Sequence, residues 1–457
     1  MRSRVTALAL LSALSFGGIL HAQDQGEARP RNLAQFLEQA EAHYPALQAD
    51  QFALAAAEAR LGEARFSPYF RWTATAGLTV APDANGTAIF SDQDQLSFDG
   101  WGPALGVNIQ GAIPLYTFGK LRGLRRAARA GVAVATHDRE RTLARVQYDV
   151  RRAYYGLQLA LDLEQMFNEG RRHLDGAVRK LDELIEANDP NVNPMDRRRL
   201  GAAVAEIEAR ASETQRLRES SEAALRALTG IRRPEVPACP MTAAPIEEAT
   251  SEAMSARARG SRPELRMLDA AIDAREADVA IQRGGYAPDL ALAFRAGITW
   301  TPGRADQNNP WIDDPANQPA LGAGILLRWN LDLAGNVFRT RGAEARLAET
   351  RLDAEEARAG LNLEVELAVS QLEDARRREA AWGRGERETR AWFVGAAQAY
   401  DVGTLEPRDL IDALKGYFDA RARHLQALME FNIAGAQLER ATGTRLLSLT
   451  DWEPPCD

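Results

Sequence analysis

The sequence predicts a mixed α and β fold: four transmembrane β-strands per chain, pooled with those of other subunits into a barrel that continues into a long α-helical coiled coil. Three observations predict it. An alternation of apolar and polar residues, sustained over ten or more positions, occurs four times. Two proline-free segments of coiled-coil composition run from Gly119 to about Asn188 and from Gly335 to about Asp401. The unit containing these features is written twice: "GPALGVNIQGAIPLYTFGK" (102–120) returns as "QPALGAGILLRWNLDLAGN" (318–336), with Gly106 and Gly119 answered by Gly322 and Gly335 at one constant offset.

The 457 residues open with a positive n-region (Arg2, Arg4), an apolar stretch from Val5 to Leu20 and a small residue at Ala22. Residues 1–22 therefore read as a secretory signal peptide. Gln23 follows the expected cut, so no lipoprotein signal is read. Removing two arginines and no acid takes the net charge from −8 to −10, which gives no basic footprint for nucleic acid. No later run is long and apolar enough for a transmembrane helix. The two cysteines, Cys239 and Cys456, lie in a chain directed to an oxidising compartment, where they can pair.

The first repeat spans 23–237 and the second 261–443, joined by a linker at 238–260 and followed by a tail at 444–457. "YPALQADQFALAAAEARLGEARFSPYF" (44–70) answers "RPELRMLDAAIDAREADVAIQRGGYAPDL" (262–290). These predict helices at about Pro45–Arg65 and Pro263–Arg283, each with a proline in the first turn, where a missing N–H costs nothing. "LTG" (228–230) answers "ATG" (441–443) at the far ends.

Strands follow at about 69–80, 104–116, 289–300 and 320–332. In the first, Trp72, Ala74, Ala76, Leu78 and Val80 alternate with Thr73, Thr75, Gly77 and Thr79; the other three keep the same period of two. Globular strands usually stop near ~6 residues. Strands of about 11 residues cover roughly 28 Å of height at a tilt near 40°, close to the ~30 Å hydrocarbon core of a membrane. Trp72, Trp101, Trp300, Trp311, Trp329 and Tyr116 sit at or near strand ends, where interfacial aromatics concentrate. A soluble sandwich face is the competing reading, but the polar faces hold no second apolar stripe. Four strands leave open edges, which lipid penalises by several kcal/mol per unpaired group. Two chains would supply eight strands and three would supply twelve; the larger number leaves room for a lumen lined by Gly, Ala, Thr and Asn.

Long helices are predicted at about 119–188 and 335–402, with returning helices at about 194–228 and 407–442. At 1.5 Å per residue the long pair reach about 100 Å and need partners along their length. Gly170, a lone glycine, predicts no sharp break. Gly119 and Gly335 permit the backbone turn at the strand–helix junctions. The basic residues there (Lys120, Arg122, Arg125, Arg126, Arg339, Arg341) oppose the helix dipole and are expected to meet anionic headgroups.

Together these features resemble the TolC-like outer-membrane efflux protein family over about residues 32–450. The most specific piece is "AYDVGTLEPRDLIDAL" (399–414), which is similar to the family's tip pattern. The resemblance implies a homotrimer with a twelve-stranded barrel in the outer membrane and a helical tunnel in the periplasm. It implies a periplasmic adaptor and an inner-membrane pump as partners, and export of small molecules such as drugs and toxic compounds. Asp409 and Asp412 fall on the family's entrance acids, and their i, i+3 spacing places both on one helix face. Tyr400 and Gly403 fall on its latch and tip. Leu405 stands where some members carry a latch arginine. Asn193-Pro194 and Glu406-Pro407 align with each other and are implied as adaptor-docking turns; Asp196 likewise aligns with Asp409, although "NDPNVNPMD" (188–196) lacks the Val-Gly signature. The Pro-rich tails carrying Cys239 and Cys456 fall in the belt around the tunnel, where a disulfide would tie them.

The histidines show no metal-ligand spacing, and there is no P-loop, GxSxG or CxxC. The sequence therefore predicts no enzyme, metal or cofactor. Protein secretion, a lone porin and a structural periplasmic coiled-coil protein remain as alternatives, and the loops at 81–101 and 301–318 are expected to face outside.

Overall fold

The computed structural model describes residues 30–85, 97–187, 194–246, 250–303, 317, 319–402 and 404–445. The signal segment, most of the two predicted outer loops, Trp311, Asn193, Gly403 and Cys456 lie outside them.

The element order is the same in both halves. The first half contains α1 (Leu33–His43), α2 (Pro45–Phe66), a single 3₁₀ turn (Ser67–Tyr69), β1 (Trp72–Asn85), β2 (Ser97–Tyr116), α3 (Lys120–Glu186) and α4 (Pro194–Thr229). The second contains α5 (Ser251–Ser261), α6 (Pro263–Gly284), β3 (Asp289–Trp300), β4 (Pro319–Arg328), α7 (Leu333–Asp401) and α8 (Pro407–Thr442). α1 and α5 were not anticipated. The signal for α1 is local: Asn32 accepts from the backbone of Gln35 while Gln35 reaches back to the backbone of Asn32, a complete capping box. Thr250 caps α5 with a one-way bond, its side chain accepting from the Ala253 N–H, inside the segment expected to be a linker.

The four strands form one antiparallel sheet in the order β1-β2-β3-β4, leaving β1 and β4 as open edges. β2 begins seven residues earlier than its alternation suggested, and β4 ends at Arg328 because Asp332 caps α7 immediately afterwards.

α3 (67 residues) and α7 (69 residues) are each continuous, about 100 Å at the α-helical rise. α3 passes Gly170 without interruption; its missing Cβ admits Ile207 and Phe418 from neighbouring helices. Near the sheet, α3 and α7 both pack on α6. Arg126 of α3 binds Asp273 and Glu276, and Arg351 and Arg358 of α7 bind Glu276 and Asp269. Farther out, α4 returns along α3 (Arg218–Glu164, Arg171–Glu208, Arg197–Asp182) and α8 along α7. The middle of the bundle is packed by Phe36, Leu37, Val150, Tyr154, Tyr155 and Leu225. A second cluster, including Met166, Leu174, Leu181, Leu414 and Phe418, fills the distal half. α4 and α8 end alike: Gly230 (φ 75°) and Gly443 (φ 66°), the glycines of the two matching Thr-Gly pairs, adopt the left-handed conformation that closes a helix.

Candidate functional site

Two regions carry functional chemistry: the faces of the sheet and the turn between α7 and α8.

The strand register sorts side chains by polarity, because directly opposed residues share a face. Trp72, Ala74, Ala76, Leu78 and Val80 oppose Gly111, Ile109, Val107, Leu105 and Pro103. These β2 residues, Pro103 apart, oppose Phe294, Ala296, Ile298 and Trp300 of β3, and β3 in turn opposes Ala323, Leu321 and Pro319 of β4. The other face holds Thr73, Thr75, Asn108, Gln110, Arg295, Thr299 and the glycines 77, 106, 297 and 322. Among the described residues nothing covers the apolar face: Leu321 is 90 % exposed, Leu78 75 % and Ile325 73 %. The exposed aromatics lie toward both ends of the strands, with Trp72, Tyr116 and Trp329 near the helices and Trp101 and Trp300 far from them. Among the described residues no helix is long and apolar enough to cross a membrane.

The two strand–helix junctions differ in chemistry. At the first, Phe118 (φ 47°) and Gly119 (φ 92°) turn the chain in the left-handed region, and Thr117 Oγ1 accepts from the Leu121 N–H. At the second, the turn needs no positive φ. Asp332 caps α7 by accepting from the Gly335 N–H at 3.0 Å. Gly335 serves because a Cβ there would collide with the Asp332 carboxylate, which corrects the expectation that it supplies a flexible turn. The basic cluster is also largely satisfied within the chain. Lys120 binds Asp289 at 2.9 Å, Arg125 donates to Tyr69 Oη at 2.7 Å, and Arg339 binds Asp332 at 2.9 Å.

At the other end, α7 stops at Asp401, and Thr404 folds back so that its N–H and hydroxyl both donate to the Ala399 carbonyl, at 2.9 and 3.0 Å. Pro407 opens α8, with the exposed Glu406 as N-cap; Pro194 opens α4. Asp409 and Asp412 are exposed, while Ile411, Ala413 and Leu414 beside them are buried. Both acids therefore stand on the solvent face of α8, and among the described residues neither has an ion pair. Asp196, the counterpart of Asp409, is buried and bound to Arg199 at 3.3 Å, so the two turns are not equivalent. Tyr400 is half-buried with the Lys180 ammonium of α3 over its ring at 4.9 Å. That cation–π contact, invisible in the spacing of either segment, joins α7 to α3 close to the turn.

Electrostatics inside the bundle are set by burial and pairing. His424 of α8 lies between Glu386 (Nδ1···Oε2 2.5 Å) and Glu379 (Nε2···Oε1 3.4 Å) of α7, over the gap left by Gly383. The hydrogen bond to Glu386 raises the imidazole above its ordinary value and holds the Glu386 carboxyl below its own. Burial raises Asp162, whose carboxylate accepts from the Met241 N–H at 3.0 Å and so fastens the inter-repeat segment to α3. Cys239 lies nearly buried in the same segment; its expected partner, Cys456, is outside the described residues. Among the described residues no group of three His, Cys, Asp or Glu side chains could hold a metal ion.

An exposed four-stranded sheet of transmembrane length, continuous with two helices of about 100 Å, is the fold this chain shares with solved outer-membrane channels. A family model described as Outer membrane efflux protein matches residues 254–444, which is the second repeat with α5, so the resemblance rests on sequence as well as fold. Among solved structures, the outer-membrane channel OprN is 21 % identical, with a TM-score of 0.72 over 90 % of this chain and 89 % of that one. The Neisseria gonorrhoeae MtrE outer membrane channel is 18 % identical, with a TM-score of 0.73 over 91 % and 89 %. The Campylobacter jejuni CmeC outer membrane channel is 16 % identical, with a TM-score of 0.72 over 97 % and 94 %. A comparison with curated proteins finds no match. The matched family and these neighbours are channels, not enzymes.

Proposed function

We propose that this protein is the outer-membrane channel of a tripartite export system, working as a homotrimer whose barrel lies in the outer membrane and whose helices extend through the periplasm. One observation carries the proposal: a sheet with two open edges and one wholly apolar, uncovered face. In lipid the edges must pair with other copies of β1 and β4, and three copies close a barrel of twelve strands with a polar lumen. The second long helix supports the same assembly. Leu352, Leu363, Leu367 and Trp392 of α7 remain exposed, which fits a surface that packs against another subunit. The turns at 193–194 and 406–407 would then dock a periplasmic adaptor, with Tyr400 and Gly403 at the tip. Asp409 and Asp412 would line the constricted entrance as rings of carboxylates, selecting for cations and binding metal ions that block the pore.

The test is purification from outer membranes in detergent, followed by mass determination and planar-bilayer recording. A trimer that conducts and co-purifies with an adaptor and an inner-membrane pump is expected, and its loss should sensitise cells to small toxic compounds. A monomer that stays soluble after membranes are removed would favour the structural coiled-coil alternative. Lost secretion of a polypeptide, with unchanged drug sensitivity, would favour protein export.

A further inference from the structure

We infer that the polar face of the sheet, at the end nearest the helices, is a binding site for small multivalent anions bearing carboxylate or phosphate groups. The inference rests on the pore reading, since it takes this face as the lumen wall.

A recess of about 660 Å³ lies there, lined by Arg71, Gln110, Arg295 and Arg328. Gln110, Arg295 and Gly322 fall in one row across β2, β3 and β4. The floor is bare: a Cβ at Gly322 or at Gly324 would meet nothing within 4 Å. The three guanidinium groups therefore rise beside open space and not from packed side chains.

Among the described residues no acid lines the recess, and neither Arg295 nor Arg328 has an ion pair. The strand carboxylate opposite Arg328 is Asp289, and its Oδ1 is held by Lys120 Nζ at 2.9 Å. Among the described residues the Arg71 side chain reaches only the neutral Ser67 hydroxyl, at 3.5 Å. Elsewhere in the chain arginines are habitually matched: Arg126, Arg351, Arg358, Arg378 and Arg421 all bind acids. Three unmatched cations on one wall of a chain with net charge −8 repel one another until an anion sits among them. The planar forks of arginine suit bidentate carboxylate and phosphate oxygens. Repeated in each subunit of a closed barrel, the arginines form a basic collar where the lumen passes from barrel to helices. A lipid headgroup is not the occupant, because the lipid-facing side of the same strands is the apolar one.

The test uses the full-length trimer in a planar bilayer, with inorganic pyrophosphate or citrate added to the barrel-side compartment. Both anions should block the current reversibly. Arg295→Gln with Arg328→Gln should raise the half-blocking concentration roughly tenfold or more, the weight of a lost charge-assisted hydrogen bond. Arg295→Lys with Arg328→Lys should fall between, since it keeps the charge and loses the fork. If the double glutamine variant does not assemble as an SDS-resistant trimer, Arg295→Gln alone and the lysine pair carry the test. A conducting wild-type trimer that neither anion blocks overturns the inference, as does block unchanged in the variants; both leave the pore reading standing. A protein that forms no conducting trimer overturns the pore reading and this inference with it.

Discussion

The indole of Trp72 lies directly across Gly111, the residue opposite it on β2: an ideal Cβ on Gly111 would sit 2.5 Å from Trp72 Cε3. The same ring approaches Phe294 at 5.8 Å between centroids, so one aromatic bridges three strands by crossing a position that has no side chain. Gly111→Ala forces the indole off this site. We expect a loss of about 1–3 kcal/mol, the usual penalty for overpacking, read as a lower dissociation temperature of the SDS-resistant oligomer. Adding Trp72→Ala should make the Gly111 substitution nearly neutral. Equal effects in both backgrounds would show that the ring contact does not matter.

Asp409 and Asp412 stand exposed on α8 without ion pairs among the described residues. Replacing both with Asn should leave the thermal stability of the protein nearly unchanged, because nothing in the fold leans on these carboxylates. In bilayer recordings the pair should lower cation-over-anion permeability several-fold and weaken block by divalent or trivalent cations added from the helix side by roughly tenfold. An unaltered reversal potential would remove these residues from the entrance.

His424 and Glu386 make part of the α7–α8 seam depend on pH. His424, raised above its ordinary value of 6.5, contributes stability that is fully present below that value and is lost as pH rises through the raised one. Glu386, lowered from an ordinary 4.5, contributes above 4.5 and loses its share as pH falls through its depressed value. The charges facing the imidazole are Glu386 and Glu379, with Arg421 and Arg390 acting on Glu386. His424→Gln should cost about 1 kcal/mol between roughly pH 4.5 and 6.5 and little near pH 9. Unfolding midpoints of the two proteins against pH check this, and a difference independent of pH refutes it.

Arg151 of α3 and Glu439 of α8 form an ion pair at 3.0 Å with both side chains almost fully buried. Burial beside them pushes the Tyr155 hydroxyl up to about 12. Arg151→Met removes the cation paired with a buried carboxylate and should destabilise by about 3–5 kcal/mol, whereas Arg151→Met with Glu439→Leu should recover most of the loss. Chemical denaturation of the three variants distinguishes a mutually dependent pair from two independent contacts.

Cys239 is nearly buried in the inter-repeat segment that Asp162 fastens to α3. If it pairs with Cys456, the unfolded, non-reduced mature protein should show no reaction with a thiol probe, and two thiols per chain should appear after reduction. Labelling before reduction would exclude the pairing.

Much of this architecture was legible in the chain. A period of two located all four strands, and the register then confirmed that the alternation marks two chemically opposite faces. Freedom from proline, with Pro194 and Pro407 opening the returning helices, located the long segments. The short helices α1 and α5 were missed because their signal is a cap and not a period, although the Asn32–Gln35 box is readable. The parity that puts Arg295 and Arg328 on the polar face was legible; their lack of a counter-charge was not, because that depends on Lys120 claiming Asp289 across 169 residues of sequence.

By itself the sequence determined the duplicated plan, the lengths of the long helices and the apolar side of the sheet, since periodicity and capping act between residues close along the chain. Tertiary structure alone decided which side chains meet across the fold. Lys120 binds Asp289, 169 residues away in sequence, and Trp72 of the neighbouring strand crosses Gly111. The physical reason is that equal local patterns acquire different partners once packed, and an ion pair or a steric limit is a property of what arrives from elsewhere in the fold.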